Sequence, residues 1–106
     1  MDLEKIRQGF GFLADDQKWR HFHSPKNLSM ALMVEVGELL EHFQWLDEAQ
    51  SRDLKNNPEQ KALVADEMAD VLMYLVALAD RLEVNLEHAV EHKMEKLLKR
   101  LRSADE

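Results

Sequence analysis

An all-α chain is predicted by three observations. Apolar residues recur at helical rather than alternating spacing, three glycines and two prolines punctuate 106 residues, and one acidic helical pattern occurs twice. The copies are Glu35-Val36-Gly37-Glu38-Leu39-Leu40 and Glu67-Met68-Ala69-Asp70-Val71-Leu72, thirty-two positions apart. At about 100° per residue, positions i and i+3 are neighbours on a helix surface, so each copy sets two like charges side by side. Sliding 32–46 onto 64–78 aligns Leu32 with Val64, Val36 with Met68, His42 with Tyr74, Phe43 with Leu75 and Leu46 with Leu78.

The elements follow in order. A first helix is expected over about 2–19, weakened near its middle by Gly9 and Gly11, each of which costs about 1 kcal/mol relative to alanine. The loop His21-Phe22-His23-Ser24-Pro25-Lys26-Asn27 follows, with Pro25 and Asn27 as turn and cap residues. A second helix over about 28–46 carries the first acidic motif. The polar stretch Asp47–Asn57 has room for a short helical turn. Asn57 caps and Pro58 begins a third helix that runs to about Leu82. Asn85 caps a fourth, about 86–101, whose basic end (Lys96, Lys99, Arg100, Arg102) suits the C-terminal dipole, and the last few residues should fray. The chain 1–106 reads as a single domain, a four-helix bundle whose small core would profit from oligomerisation.

Composition narrows the chemistry. With no cysteine there is no disulfide, thiolate metal site or thiol nucleophile, so a metal must be held by oxygen or imidazole. The formal net charge of -7 argues against a nucleic-acid polymer as partner. Two divalent ions would bring that charge to -3, which makes metal-dependent phosphate chemistry compatible with an acidic chain. The start Met1-Asp2-Leu3-Glu4-Lys5 lacks a signal-peptide pattern, and the run Val71 to Ala79 is too short for a membrane span. A soluble cytoplasmic protein is expected.

In both repeats the apolar positions fill a sector of about 120° with the carboxylates on its border. If the two helices pack antiparallel through these stripes, Glu35, Glu38, Glu67 and Asp70 converge along one side of the seam. Four converging carboxylates call for hard cations. No Glu-x-x-His occurs, which disfavours a di-iron bundle and favours Mg²⁺, with Mn²⁺ as substitute. Two such ions hold polyphosphate oxygens and acidify a water, so phosphoryl or nucleotidyl transfer to water suits these parts. The bland alternative is a pair of solvated acidic helix faces.

Other residues read less sharply. Lys26 beside a helix N-terminus favours an anion, or belongs to an ordinary turn. Trp19 and Trp45 close helix ends, where they either complete the core or stack on a base. His88 and His92, at i and i+4, have metal-pair spacing, but Glu87 and Glu91 beside them suggest a solvated face, and the six methionines read as core filler.

At these residues the chain resembles the MazG-type nucleoside triphosphate pyrophosphohydrolases of the all-α NTP pyrophosphatase group, especially the short dCTP pyrophosphatase-like branch. The hallmark E-x-x-E, spacer, E-x-x-D reads here Glu35-Val-Gly-Glu38 and Glu67-Met-Ala-Asp70. It is strengthened by Trp19-Arg-His-Phe22-His23-Ser-Pro25-Lys26-Asn27-Leu28, by Phe43-Gln44-Trp45 and by the run from Asp70 through Tyr74 to Leu78. The resemblance implies Mg²⁺-dependent hydrolysis of a (deoxy)nucleoside triphosphate, dCTP-like pyrimidines foremost, to monophosphate and pyrophosphate, in nucleotide-pool house-cleaning. It implies that Glu35, Glu38, Glu67 and Asp70 hold the metal, that His23 and Trp45 line the nucleotide pocket with Trp19 at a matching aromatic position, that Tyr74 faces the metal, and that Lys93 reaches phosphate. It also implies a homodimer or a dimer-of-dimers tetramer. Leu97 and Phe10 stand where that branch carries asparagine and histidine, which loosens the inference about the base. The rival readings are a catalytically idle helical metal- or nucleotide-binding or assembly protein, and a related hydrolase for dUTP or another nucleotide.

Overall fold

The computed structural model describes residues 1–105, with the side chains of Arg20 and Asp105 left aside. Among these residues there are helices and turns and no strand. The order is α1 (Leu3–Asp16), a 3-10 turn (Arg20–Phe22), α2 (Pro25–Glu41), α3 (Glu48–Asp53), a 3-10 turn (Leu54–Asn56), α4 (Pro58–Arg81) and α5 (Leu86–Asp105). No described helix is long and apolar enough to cross a membrane.

Helix starts are set by side-chain caps. Asp2 accepts from the backbone N–H of Glu4 and Lys5 at 3.1 and 3.2 Å. Ser24, not Asn27, caps α2: its Oγ accepts from the N–H of Asn27 at 3.1 Å, and Pro25 takes the first helical position. The Asn27 amide instead donates to the Phe22 carbonyl at 2.7 Å, tying the preceding turn to the helix. Asp47 and Gln50 form a reciprocal capping box, so the expected polar connection carries a real helix, α3. Asn57 with Pro58 starts α4, and Asn85 caps α5, its Oδ1 accepting from His88 N–H at 3.0 Å.

Helix ends differ more from expectation. α1 stops at Asp16, three residues short of the expected 19, because Lys18 turns left-handed at φ 60° and Trp19 N–H reaches back to the Ala14 carbonyl at 2.7 Å. This is a Schellman closure made without glycine. α4 ends the same way, with Glu83 at φ 55° and Val84 N–H bonded to the Ala79 carbonyl at 2.8 Å. α2 closes at Glu41 rather than continuing to 46, since His42 and Phe43 bond back to Leu39 and Leu40 in tight 3-10 fashion. α5 stays helical to Asp105 where fraying was expected, and Glu106 lies outside the described residues.

α4 is the central element. It packs most extensively on α2 and next on α1, while α5 makes almost no contact with the rest. The buried core is small: Phe10 and Ala14 of α1, Leu28 of α2, and Val64, Val76 and Ala79 of α4. The radius of gyration is 17.1 Å, against about 13 Å for a compact domain of this length. The chain therefore packs α1, α2 and α4 around its core and carries α5 as an arm.

Candidate active site

The carboxylates sit where α2 and α4 face each other. Gly37 leaves open space beside its backbone, so the acidic turn of α2 meets no crowding there. Glu35, Glu38 and Glu67 each bring an oxygen within 4.8 Å of the other two. Asp70 stands close enough for its charge to act on both Glu35 and Glu67. The helices run antiparallel: His42, at the C-terminal end of α2, lies 3.9 Å from Glu67, whereas Tyr74, one turn beyond Asp70, feels Glu35 most strongly among the charges. The structure therefore brings Glu35, Glu38 and Glu67 together, with Asp70 near enough for its charge to act on Glu35 and Glu67.

The electrostatics of this cluster are unfavourable as it stands. Burial raises the proton affinity of Glu35, and Glu38 and Asp70 raise it further. Glu67 is raised by burial first and then by Glu38, with a small opposing pull from His42. The phenol of Tyr74 is likewise pushed up, by burial and then by Glu35. Glu35 Oε2 and Glu67 Oε2 are buried without a hydrogen-bond partner. A buried carboxylate oxygen left without a donor is costly, and these two lie among like charges. A hard divalent cation satisfies this donor set: it supplies positive charge, takes several oxygens and asks for no sulfur. The residues fit such an ion.

Beside the carboxylates lies an aromatic chain. Phe10 packs edge-on against Tyr74 with centroids 5.2 Å apart, and lies nearly parallel to His23 at 5.7 Å. Trp19 tilts over His23 at 6.3 Å. Trp19, His23 and Tyr74 are thus brought together through Phe10, whose ring is buried. Trp45 is not gathered with them; it projects from the turn after α2 and is 85% exposed. Lys26 is exposed in the first turn of α2, and Lys93 is exposed on α5, away from the packed helices. A groove of about 410 Å³ lies between the start of α1 and the α4–α5 corner, lined by Leu3, Arg7, Val76, Asp80, Val84 and Leu86, and contains none of the clustered carboxylates.

Only His42 is not singled out in the sequence as part of the site. Phe10 stands out there as a departure from the branch's histidine, and its place as the bridge from His23 to Tyr74 depends on α1 crossing α4. His42 carried a signal: in the repeat it occupies the position of Tyr74, four residues after the second carboxylate.

A sequence model of the MazG-like family matches residues 30–106. The dCTP pyrophosphatase 1 of Rattus norvegicus is 45% identical over 93 residues, covering 88% of this chain and 55% of that protein. The Homo sapiens protein of the same name is 44% identical over the same length. This chain thus spans about half the length of the curated relatives it matches. The crystal structure of a pyrophosphatase from Archaeoglobus fulgidus superposes with a TM-score of 0.80 at 36% identity, covering 92% of this chain and 89% of that one.

Proposed function

This chain belongs to the MazG-like family, and from that premise we propose that it hydrolyses a (deoxy)nucleoside triphosphate, a dCTP-like pyrimidine foremost, to the monophosphate and pyrophosphate with Mg²⁺ as cofactor. The observation that carries the reading is the pair of buried, unpartnered oxygens of Glu35 and Glu67 inside a carboxylate cluster. Glu35, Glu38, Glu67 and Asp70 hold the cation, which when bound offsets the charge of the triphosphate and acidifies a water. A carboxylate oxygen not engaged by the cation accepts the proton of the attacking water. His23 and Trp19, held by Phe10 against Tyr74, offer a polar edge and a ring face at the end of the cluster nearer Glu35.

Assembly completes this reading. Val90, Met94, Leu97, Leu98 and Leu101 lie along one stripe of α5 and are each 43–62% exposed. Met30, Met33 and Val34 of α2 are exposed as well. A second copy covers these faces in a homodimer or a dimer of dimers, and brings Lys93 and Trp45 toward a nucleotide from the neighbouring subunit. The similarity to proteins named dCTP pyrophosphatase 1 supports dCTP as the first substrate to try; nucleotide-pool house-cleaning in the cytoplasm is part of the same proposal.

Phosphorus NMR of the protein with dCTP and Mg²⁺ tests the reading. Monophosphate and pyrophosphate should form with metal and stop with EDTA, and the remaining triphosphates then rank the base preference. No turnover of any nucleotide leaves a helical binding or assembly protein as the better account.

A further inference from the structure

The two helices of the repeat each carry one proton-donating side chain at the same register, His42 four residues after Glu38 and Tyr74 four residues after Asp70. Antiparallel packing sends them to opposite ends of the carboxylate cluster. At one end His42 Nε2 stands 3.9 Å from Glu67 Oε1, with both side chains 22% exposed. That is within ion-pair distance and longer than a hydrogen bond. The other oxygen of the same carboxylate, Oε2, is buried and without a partner. The two oxygens of Glu67 are therefore differentiated by their surroundings: one lies 3.9 Å from an imidazole nitrogen, the other is buried without a partner.

We propose that His42 is a positioning residue for Glu67: its Nε2–H holds Oε1, fixing the rotation of the carboxylate so that Oε2 is presented to the cation. The inference rests on the metal-site reading above and adds to it a residue outside the two acidic motifs. A hydrogen-bond donor on the outer oxygen of a metal-binding carboxylate spares the ion the cost of ordering that side chain, and losing such a partner weakens metal binding by about 10–100-fold. The ring's other surroundings tolerate substitution, since His42 also borders a groove of about 210 Å³ lined by Leu46, Gln50, Asp53, Leu54, Asn57 and Gln60. Imidazole and the amide of glutamine place a donor nitrogen at similar reach, whereas leucine keeps bulk without a donor.

The test is Mn²⁺ binding to the metal-free protein, read by the EPR signal of free Mn²⁺, for wild type, His42→Leu and His42→Gln, with circular dichroism as the check on folding. His42→Leu should bind at least 10-fold more weakly, and His42→Gln should return to within about threefold of wild type. Equal affinity of wild type and His42→Leu, or equal weakening in both variants, overturns the positioning role alone. If wild type binds no Mn²⁺, the metal-site reading itself falls. A nitrogen modulation on bound Mn²⁺ in pulsed EPR that disappears in His42→Leu makes the imidazole a direct ligand, and overturns the proposal in that way.

Discussion

Replacing Glu38 with glutamine should act with opposite signs on the metal-free and the metal-loaded protein. Glu38 is the largest charge acting on both Glu35 and Glu67, so it is the hub of the repulsion. Glu35 and Glu38 bring oxygens within 4.8 Å of each other. Two unit charges at that distance repel by about 1 kcal/mol at the dielectric of water and about 3.5 kcal/mol at an effective value of 20. The cluster is partly exposed, which places the gain near the lower figure, and about 1 kcal/mol raises the melting temperature of a domain this size by about 4 °C. Thermal melting at pH 7.5 in EDTA should therefore show Glu38→Gln more stable than wild type. In 10 mM Mg²⁺ the order should reverse, because wild type gains binding free energy that the variant has lost, and hydrolysis of dCTP should be abolished. A variant destabilised in EDTA would refute the electrostatic reasoning. A variant that turns over dCTP at the wild-type rate would remove Glu38 from the chemistry.

Three other outcomes are expected. Glu35 and Glu67 have proton affinities raised above the ordinary value of 4.5, so the folded metal-free protein binds more protons than the unfolded chain as pH climbs from that value through the raised ones. Their contribution to stability is thus greatest below 4.5 and is lost with rising pH; melting profiles from pH 5 to 7.5 should fall more steeply for wild type than for the Glu35→Gln, Glu67→Gln double variant, and equal slopes would contradict this. Glu83 pays for a left-handed φ of 55° at the end of α4, so Glu83→Gly should stabilise by about 0.5–1 kcal/mol in a urea titration, and a loss of stability would count against the Schellman closure. If the proposed oligomer forms through α5, Met94→Glu with Leu98→Glu should lower the mass in light scattering to that of one chain; a wild type that is already a single chain, or an oligomer whose mass does not change, would overturn that interface.

Helix identity was readable because it depends on local features. Asn57-Pro58 was recognised as a start, and Asn85 as a cap, from side-chain chemistry that operates within four residues. The same chemistry operates at Ser24-Pro25, and the expectation of Asn27 as the cap starts α2 three residues late. The ends of α1 and α4 carried no such mark. Lys18 and Glu83 are unusual occupants of left-handed positions where glycine is the common signal, so no residue type announced them. The stripe through Phe43 and Leu46 kept its helical spacing beyond Glu41, although the backbone there tightens into 3-10 turns. Periodicity registers which residues face inward and is insensitive to that change of winding.

Sequence by itself determined the all-helical class, the two carboxylate pairs and the sides of their helices on which they lie, since side-chain direction along a helix follows from position. Which groups meet across the seam was decided by the tertiary structure. Antiparallel packing of α2 on α4 set His42 against Glu67 and Tyr74 toward Glu35, left one oxygen of each glutamate buried without a partner, and let Phe10 join His23 to Tyr74. It also left the apolar stripe of α5 uncovered. Those pairings depend on the relative rotation and offset of whole helices, and no residue's local preference encodes them.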